Sequence, residues 1–311
     1  MRTVIPIFLP IRNKQPVAAM DWNKCPYLAG HMAFDREYFL YSGASQTVRR
    51  EPEMPLDPQP RAPRPVALVG AGPGCADLLT LRALRLIEAA DVVIHDRLVS
   101  ADILALARPD ALLVAAGKEG FGPSTPQEAI HALITGHALT GARVVRLKGG
   151  DPVLFGRLDE EIEALEAAGL DYEIVPGVTA ASAASAAIGQ SLTKRGRNAA
   201  LRFLTGHDMQ GFADHDWRAL ARPGEVAAIY MGKRAARFIQ GRLLMHGADR
   251  TTPVTVVENA ARPDQRVLAT TLGRLPADLE GAALTGPALT FLGLSPRAAE
   301  ARISQPRQEL A

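Results

Sequence analysis

Cysteine is nearly absent. The chain has 311 residues and two cysteines, Cys25 and Cys75. That number cannot build a disulfide framework or a cysteine-based zinc site, and it fits a reducing, cytoplasmic setting. An excess of one charge is also missing, with 35 Lys+Arg against 33 Asp+Glu and a net charge of +2. No field of that size suits a nucleic-acid coat or a polybasic membrane binder, although a local anion pocket stays open. No apolar run reaches the length of a membrane span. The opening Met1–Pro10 stretch is too short and too broken by proline for the apolar region of a leader peptide, so none is expected. The sequence contains no HExxH, no GxSxG elbow and no Walker loop, so no metal is assigned. What is present is a hydrophobic content of 47%, enough for a sizeable core.

Glycine and proline divide the chain unequally. Residues 1–65 hold 10 of 23 prolines, 7 of 16 aromatics and 2 of 27 glycines. The segment Glu51–Pro65 is too dense in proline for helix or central strand and reads as an extended linker. Residues 1–65 are therefore expected to be a poorly ordered extension. An N-terminal α/β domain over 66–178 and a C-terminal α/β domain with a short tail over 179–311 follow it.

From Val66 the pattern becomes regular. Val66–Gly70, Val92–Ile94, Ala111–Ala115, Arg143–Leu147 and Tyr172–Val175 read as strands. Helical periodicity separates them: Asp77–Ala90 with Asp77 at its start, a helix from Pro126 with proline at its first position, and Leu158–Ala168 stopped by Gly169. This alternation predicts a mostly parallel sheet. Beyond the small-residue helix that starts near Ala180, strands are predicted at Ala200–Thr205, Val226–Met231, Val254–Glu258, Arg266–Thr271 and Ala288–Leu292. Three helical stretches lie among them: around Trp217–Ala221, Ala235–His246 and near Leu275. Arg262–Gln265 reads as a hairpin turn, so the second sheet is mixed.

Three strands of the first domain end in glycine-bearing loops: Gly70-Ala71-Gly72-Pro73-Gly74, Lys148-Gly149-Gly150-Asp151-Pro152 and Val175-Pro176-Gly177-Val178-Thr179. Each alone is satisfied by a simple turn. Together they mark one ligand-binding edge, because open α/β sheets bind ligands at the carboxyl ends of their strands. A dinucleotide fingerprint would need glycine where Cys75 stands and would not have Pro73 removing an N–H. Two glycines before Asp151 suit a ligand's hydroxyl or ammonium. Thr179 can cap the next helix and still offer a hydroxyl. Asp96 and Lys118 fall at the same edge, where they fit a base and an acid or, equally, halves of surface ion pairs. Arg146, Lys148, Arg157, Lys194, Arg195 and Arg197 concentrate positive charge near these loops. They suit a polyanionic small molecule, or else a solvated surface.

The ordered set Val69–Gly74, Asp96–Ser100, Gly117-Lys118, Pro126-Gln127-Glu128, Val144–Pro152, Phe155-Gly156-Arg157, Val175–Ala180, Leu192-Thr193, Thr205-Gly206-His207, Tyr230-Met231-Gly232 and Val257-Glu258-Asn259 resembles the uroporphyrinogen-III C-methyltransferases of the tetrapyrrole methylase superfamily. The resemblance runs from about residue 66 to 294. It implies two α/β domains of tetrapyrrole methylase type with S-adenosylmethionine in the cleft between them and S-adenosylhomocysteine as product. It further implies methylation of uroporphyrinogen III at C-2 and C-7 to precorrin-2, for siroheme or cobalamin synthesis, by a cytoplasmic homodimer. On that resemblance, cofactor contacts fall on Pro73, Gly149, Gly150, Asp151, Leu154, Thr179, Ala180, Met231 and Ala260. Asp96 becomes the proton acceptor and Lys118 the donor, while Arg97, Arg146, Arg157 and Lys194 are candidates for the substrate carboxylates. A methylase of a later precorrin is the alternative within the superfamily, and a nucleotide-binding oxidoreductase the alternative outside it. Val153, Leu158-Asp159, Lys194 and Ala260 depart from the family's usual residues, which bears on the substrate pocket. Pro6–Ile11 faintly resembles the opening strand of the precorrin-2 dehydrogenase module of bifunctional siroheme synthases, but that module's glycine loop is absent.

Overall fold

The computed structural model describes residues 62–116, 126–209 and 211–297. Residues 1–61 of the N-terminal extension and Lys118 lie outside the described residues. Pro58–Ala311 forms one unit, and within it stand two α/β domains.

The first domain runs β1 (Val66–Gly70), α1 (Leu81–Ala89), β2 (Val92–Asp96), α2 (Ala101–Leu104), β3 (Leu112–Ala116), α3 (Gln127–Leu139), β4 (Val144–Lys148), α4 (Leu158–Ala167) and β5 (Tyr172–Val175). Its strands pair in the order β3-β2-β4-β1-β5, and every pairing is parallel. β1 is buried along its whole length, as a strand covered on both faces must be. Alternation sorts its side chains. Ala67 and Val69 pack with Ala83, Ile87 and Ile103 of α1 and α2. Val66 and Leu68 pack with Ile130, Ile134 and Leu165 of α3 and α4. The chain therefore leaves β1 toward one side of the sheet and β4 toward the other, which puts the topological switch between these two neighbouring strands.

Two helix starts differ from the sequence reading. Asp77 lies in a short 3-10 turn, Ala76–Leu78, and the helix begins later, where the Thr80 hydroxyl accepts from Ala83 N at 3.1 Å. An extended Thr80 interrupts the helix expected over Asp77–Ala90. Pro126 is the N-cap of α3, not its first helical residue, with ψ 145; its own fixed φ suits either position.

The second domain comprises α5 (Ala180–Ala187), β6 (Arg202–Thr205), β7 (His207–Asp208), β8 (Gly211–Phe212), α6 (Trp217–Leu220), β9 (Ala227–Tyr230), α7 (Gly232–Met245), β10 (Pro253–Glu258), β11 (Arg266–Thr271), α8 (Leu275–Ala282) and β12 (Ala288–Leu292). Its main sheet has the order β11-β10-β12-β9-β6. It is mixed: β10 pairs antiparallel with β11 and β12, β12 antiparallel with β9, and β6 parallel with β9. Trp217, Ile239, Leu243, Leu275 and Leu279 of α6, α7 and α8 cover one face. On the other, Ala181, Ala184 and Ile188 pack with Ala228, Val257 and Phe291, and the alanines of α5 let that helix lie close. After β6 the chain forms a two-stranded antiparallel ribbon, β7 with β8.

Candidate functional site

Gly70, Asp96, Ala116, Lys148 and Val175 end the five parallel strands at one edge. The loops after β1 and β4 meet at the switch point: Gly72 N donates to Gly150 O at 3.0 Å and Gly150 N to Gly72 O at 2.7 Å. A Cβ on Gly70 would lie 2.6 Å from Gly177 N, and one on Gly177 would lie 2.2 Å from Gly150 O. Three strand ends are thus knitted to one another through bare backbone. Gly150 differs: its φ is +74, and a Cβ there would meet nothing within 4 Å.

Opposite these loops stand the ends of β9 and β10 and the start of β12. Together they enclose a cavity of about 530 Å³, within the range of small-molecule sites. All nine positions singled out as cofactor contacts line it: Pro73, Gly149, Gly150, Asp151, Leu154, Thr179, Ala180, Met231 and Ala260. Leu154, Val257 and Leu289 supply apolar wall. Asp151, half-buried, supplies a carboxylate whose Oδ1 accepts from Val153 N at 3.2 Å.

The cap of α5 differs from the sequence reading. Thr179 is the N-cap residue, but its side chain makes no capping bond. Its hydroxyl lies 2.5 Å from the Tyr230 hydroxyl, and it is Tyr230 that accepts the Ala181 N–H at 3.2 Å. Burial pushes the Tyr230 phenol above the ordinary tyrosine range. The sequence reading quoted Tyr230 in a motif without giving it a role; a tyrosine at a strand end beside a ligand loop was the available signal.

Asp96 ends β2 with its side chain 30% exposed and does not line the cavity. Arg146 Nη2 donates to its Oδ1 at 2.5 Å. The same guanidinium donates through Nε to Glu161 Oε1 at 3.0 Å, and Lys148 Nζ donates to that oxygen at 2.6 Å. Arg146, Lys148 and Glu161 are all buried. Burial, then the Arg146 charge, pushes the Lys148 ammonium below its ordinary range, against the pull of Glu161. Arg146, one of the candidates for substrate carboxylates, is thus an internal guanidinium committed to two carboxylates, and it holds Asp96. The other three basic candidates do lie at the surface. Arg97 and Lys194 are exposed, while Arg157 pairs with Glu160 at 2.7 Å. Lys194 belongs, with Arg195 and Arg197, to a separate concavity formed by residues 193–199. The sequence reading missed Glu161. Its signal was spacing, since an acid three residues after Leu158 and four before Leu165 falls on the apolar face of α4.

Two α/β domains whose strand ends close on one cavity at a topological switch point define a class of small-ligand α/β proteins. The family can be stated: a model described as Tetrapyrrole (Corrin/Porphyrin) Methylases matches residues 65–276, and the chain belongs to that family. It is 49% identical over 229 residues to the siroheme synthase of Methylococcus capsulatus, covering 73% of this chain and 48% of that protein. The chain spans about half the length of the curated relatives it matches. Among solved structures it resembles the uroporphyrin-III C-methyl transferase of Thermus thermophilus complexed with S-adenyl homocysteine. That likeness has 40% identity and a TM-score of 0.62 over 74% of this chain and 97% of the other. It also resembles a cobalt precorrin-4 methyltransferase of cobalamin biosynthesis, at 27% identity and TM-score 0.66 over 73% of this chain and 94% of the other.

Proposed function

We propose that the chain is an S-adenosylmethionine-dependent C-methyltransferase that converts uroporphyrinogen III to precorrin-2 by methylation at C-2 and C-7, releasing S-adenosylhomocysteine. The observation that carries this reading is the convergence on one cavity of nine positions from five separate segments of the chain. The residues present fit the cofactor. The open space before Gly150 admits a ligand against bare backbone. Asp151 offers an acceptor for hydroxyls or an ammonium, and Leu154, Val257 and Leu289 offer apolar surface to a nucleoside base. The chemistry such a group supplies when bound is a methyl on a sulfonium, electrophilic enough for an electron-rich pyrrole carbon.

The chain's own part is to hold the partners in line and to manage charge and protons. Asp96, held from behind by Arg146, is the proposed acceptor of the ring proton. Lys118 is the proposed donor. Arg97, Arg157 and Lys194 are proposed for the substrate carboxylates. The similarity to siroheme synthases and to the Thermus enzyme supports the substrate; a cytoplasmic homodimer is proposed with it. A second reading, methylation of a later precorrin, is favoured by the likeness to the precorrin-4 methyltransferase.

The deciding experiment incubates the protein and S-adenosylmethionine with uroporphyrinogen III and weighs the product. Two added methyl groups are expected. No turnover with this substrate, alongside turnover of a later intermediate, would select the second reading. Titration with NAD and with S-adenosylhomocysteine separates both from an oxidoreductase, for which only NAD would bind.

A further inference from the structure

The connection from β10 to β11 carries residues 259–265. Asn259 has φ 50 and Ala261 has φ 63, two left-handed non-glycine residues within three positions. Such conformations persist only where neighbours over-determine them, and they gather at ligand clamps. Here the neighbours belong to the same turn. Ala261 N donates to Gln265 Oε1 at 2.8 Å, Asn259 Nδ2 to Asp264 Oδ2 at 2.7 Å, and Arg262 N to Asn259 O at 2.9 Å.

The bend sends the Arg262 side chain out of the second domain and onto the first. Its Nη2 donates to Leu98 O at 2.5 Å and its Nε to Pro73 O at 3.3 Å. Those carbonyls belong to the loops after β2 and after β1, and Pro73, Leu98 and Arg262 all line the cavity. Gly74 is shaped to receive the arginine. A Cβ there would stand 2.3 Å from Arg262 Nε and 2.9 Å from its Cγ. The last glycine of the first loop therefore makes room for an arginine of the other domain, not for a ligand.

We infer that Arg262 and Gly74 form a clasp across the cavity wall, and that Arg262 is a positioning residue for retention of the nucleoside ligand. The inference rests on the reading of the cavity as an S-adenosyl site. One guanidinium serves two carbonyls on two loops because its donors are spread over a rigid fork; a lysine ammonium is a compact point donor. With the clasp made, the loops after β1 and β2 are tied to the end of β10. Without it, the wall of the cavity opens and the ligand leaves faster.

The test uses the full chain and S-adenosylhomocysteine as probe, with affinity by calorimetry and dissociation by stopped flow. Arg262→Ala is expected to weaken affinity by about tenfold, the scale of a lost charged hydrogen bond, mostly as faster dissociation. Gly74→Ala, which displaces the guanidinium, is expected to weaken it comparably. The double variant is expected to be no weaker than the worse single, because both remove one contact. Arg262→Lys is expected to fall between wild type and Arg262→Ala. Arg262→Ala within twofold of wild type, or single effects that multiply in the double variant, would overturn the clasp. If the wild-type chain does not bind the probe, the cofactor reading fails on its own. Hydrogen exchange of the ligand-free protein then decides the clasp: Arg262→Ala must raise exchange in segments 71–79 and 96–101, and unchanged exchange refutes it.

Discussion

Replacing Glu161 with glutamine tests the buried charge cluster that stands behind Asp96. Glu161 has no exposed side-chain surface, and Arg146 and Lys148 are 3% and 4% exposed. Two cations thus share Glu161 Oε1, and the Asp96 carboxylate is the second anion of the group. Glutamine preserves shape and an acceptor oxygen but leaves two enclosed cations against one carboxylate. Removing one partner of a buried pair costs roughly 3–5 kcal/mol. Because the amide oxygen still accepts, the expected loss is at the lower end, about 3 kcal/mol at pH 7, read by equilibrium urea unfolding.

The sign of its pH dependence follows from Lys148. The folded chain holds this ammonium below the ordinary lysine value of 10.5, first through burial and then through the charge of Arg146. Between the folded and unfolded values the unfolded chain binds more protons, so stability contributed by this group rises with pH across that window. Without the Glu161 charge the folded value drops further and the window widens downward. The deficit of Glu161→Gln relative to wild type should therefore be greatest near neutrality and shrink as pH climbs toward 10.5. A loss below about 1 kcal/mol, or a deficit that stays constant with pH, would refute the reasoning.

Three further outcomes are expected. Asp91 accepts from Arg143 N, Nε and Nη2 at 2.8, 3.0 and 2.7 Å and from Arg108 at 3.1 Å, and Arg143 holds its carboxyl well below the usual range. Its stabilisation is present above the ordinary value of 3.8 and is lost as pH falls. Asp91→Asn, partly solvent-screened, should cost about 1 kcal/mol at pH 7 and converge with wild type in acid; a gap that persists there in urea unfolding would count against the pairing. Tyr230→Phe should cost about 1 kcal/mol and raise hydrogen exchange at Ala181, whose N–H it would leave without its acceptor; unchanged exchange would remove Tyr230 as the cap. Gly150→Ala puts a Cβ at φ +74 into the open cavity, so it should lose about 1 kcal/mol of stability and most of its affinity for S-adenosylhomocysteine in calorimetry; intact affinity would show that the ligand lies elsewhere.

The element positions were legible in the sequence where apolar runs meet glycine or proline, as at Val66–Gly70, Tyr172–Val175 and Arg266–Thr271. Helix starts were less so. The period of Leu78, Leu81 and Leu84 runs through Thr80, and nothing in that spacing shows that Thr80 is extended and caps a later start. The cavity was legible because its walls are strand ends, and strand ends carry glycine signals. The burial of Arg146 was not legible, although a fully buried parallel strand offers no exposed face for a cation. Its partners Asp96 on β2 and Glu161 on α4 make its burial tolerable, and the second is fifteen residues away on a different element. Strand order was beyond reach as well, since β3-β2-β4-β1-β5 depends on which way each crossover turns.

A missing Cβ announces close approach but not what approaches, and the strand-end loops show the difference. Gly70 and Gly177 face each other and the Gly150 carbonyl, Gly149 lies against the Leu98 side chain, Gly74 lies against Arg262, and Gly150 opens to the cavity. The chain leaves β1 and β4 on opposite sides of the sheet, which leaves a crevice beyond the point where the two loops meet. Close contact among most of these glycines holds the crevice's rim in place. The ligand-facing role is thereby concentrated at Gly150 and at Asp151 beside it. It follows that alanine at Gly70 or Gly177 would damage the site through the rim, with loss of stability and of binding together, whereas alanine at Gly150 would act chiefly on the ligand.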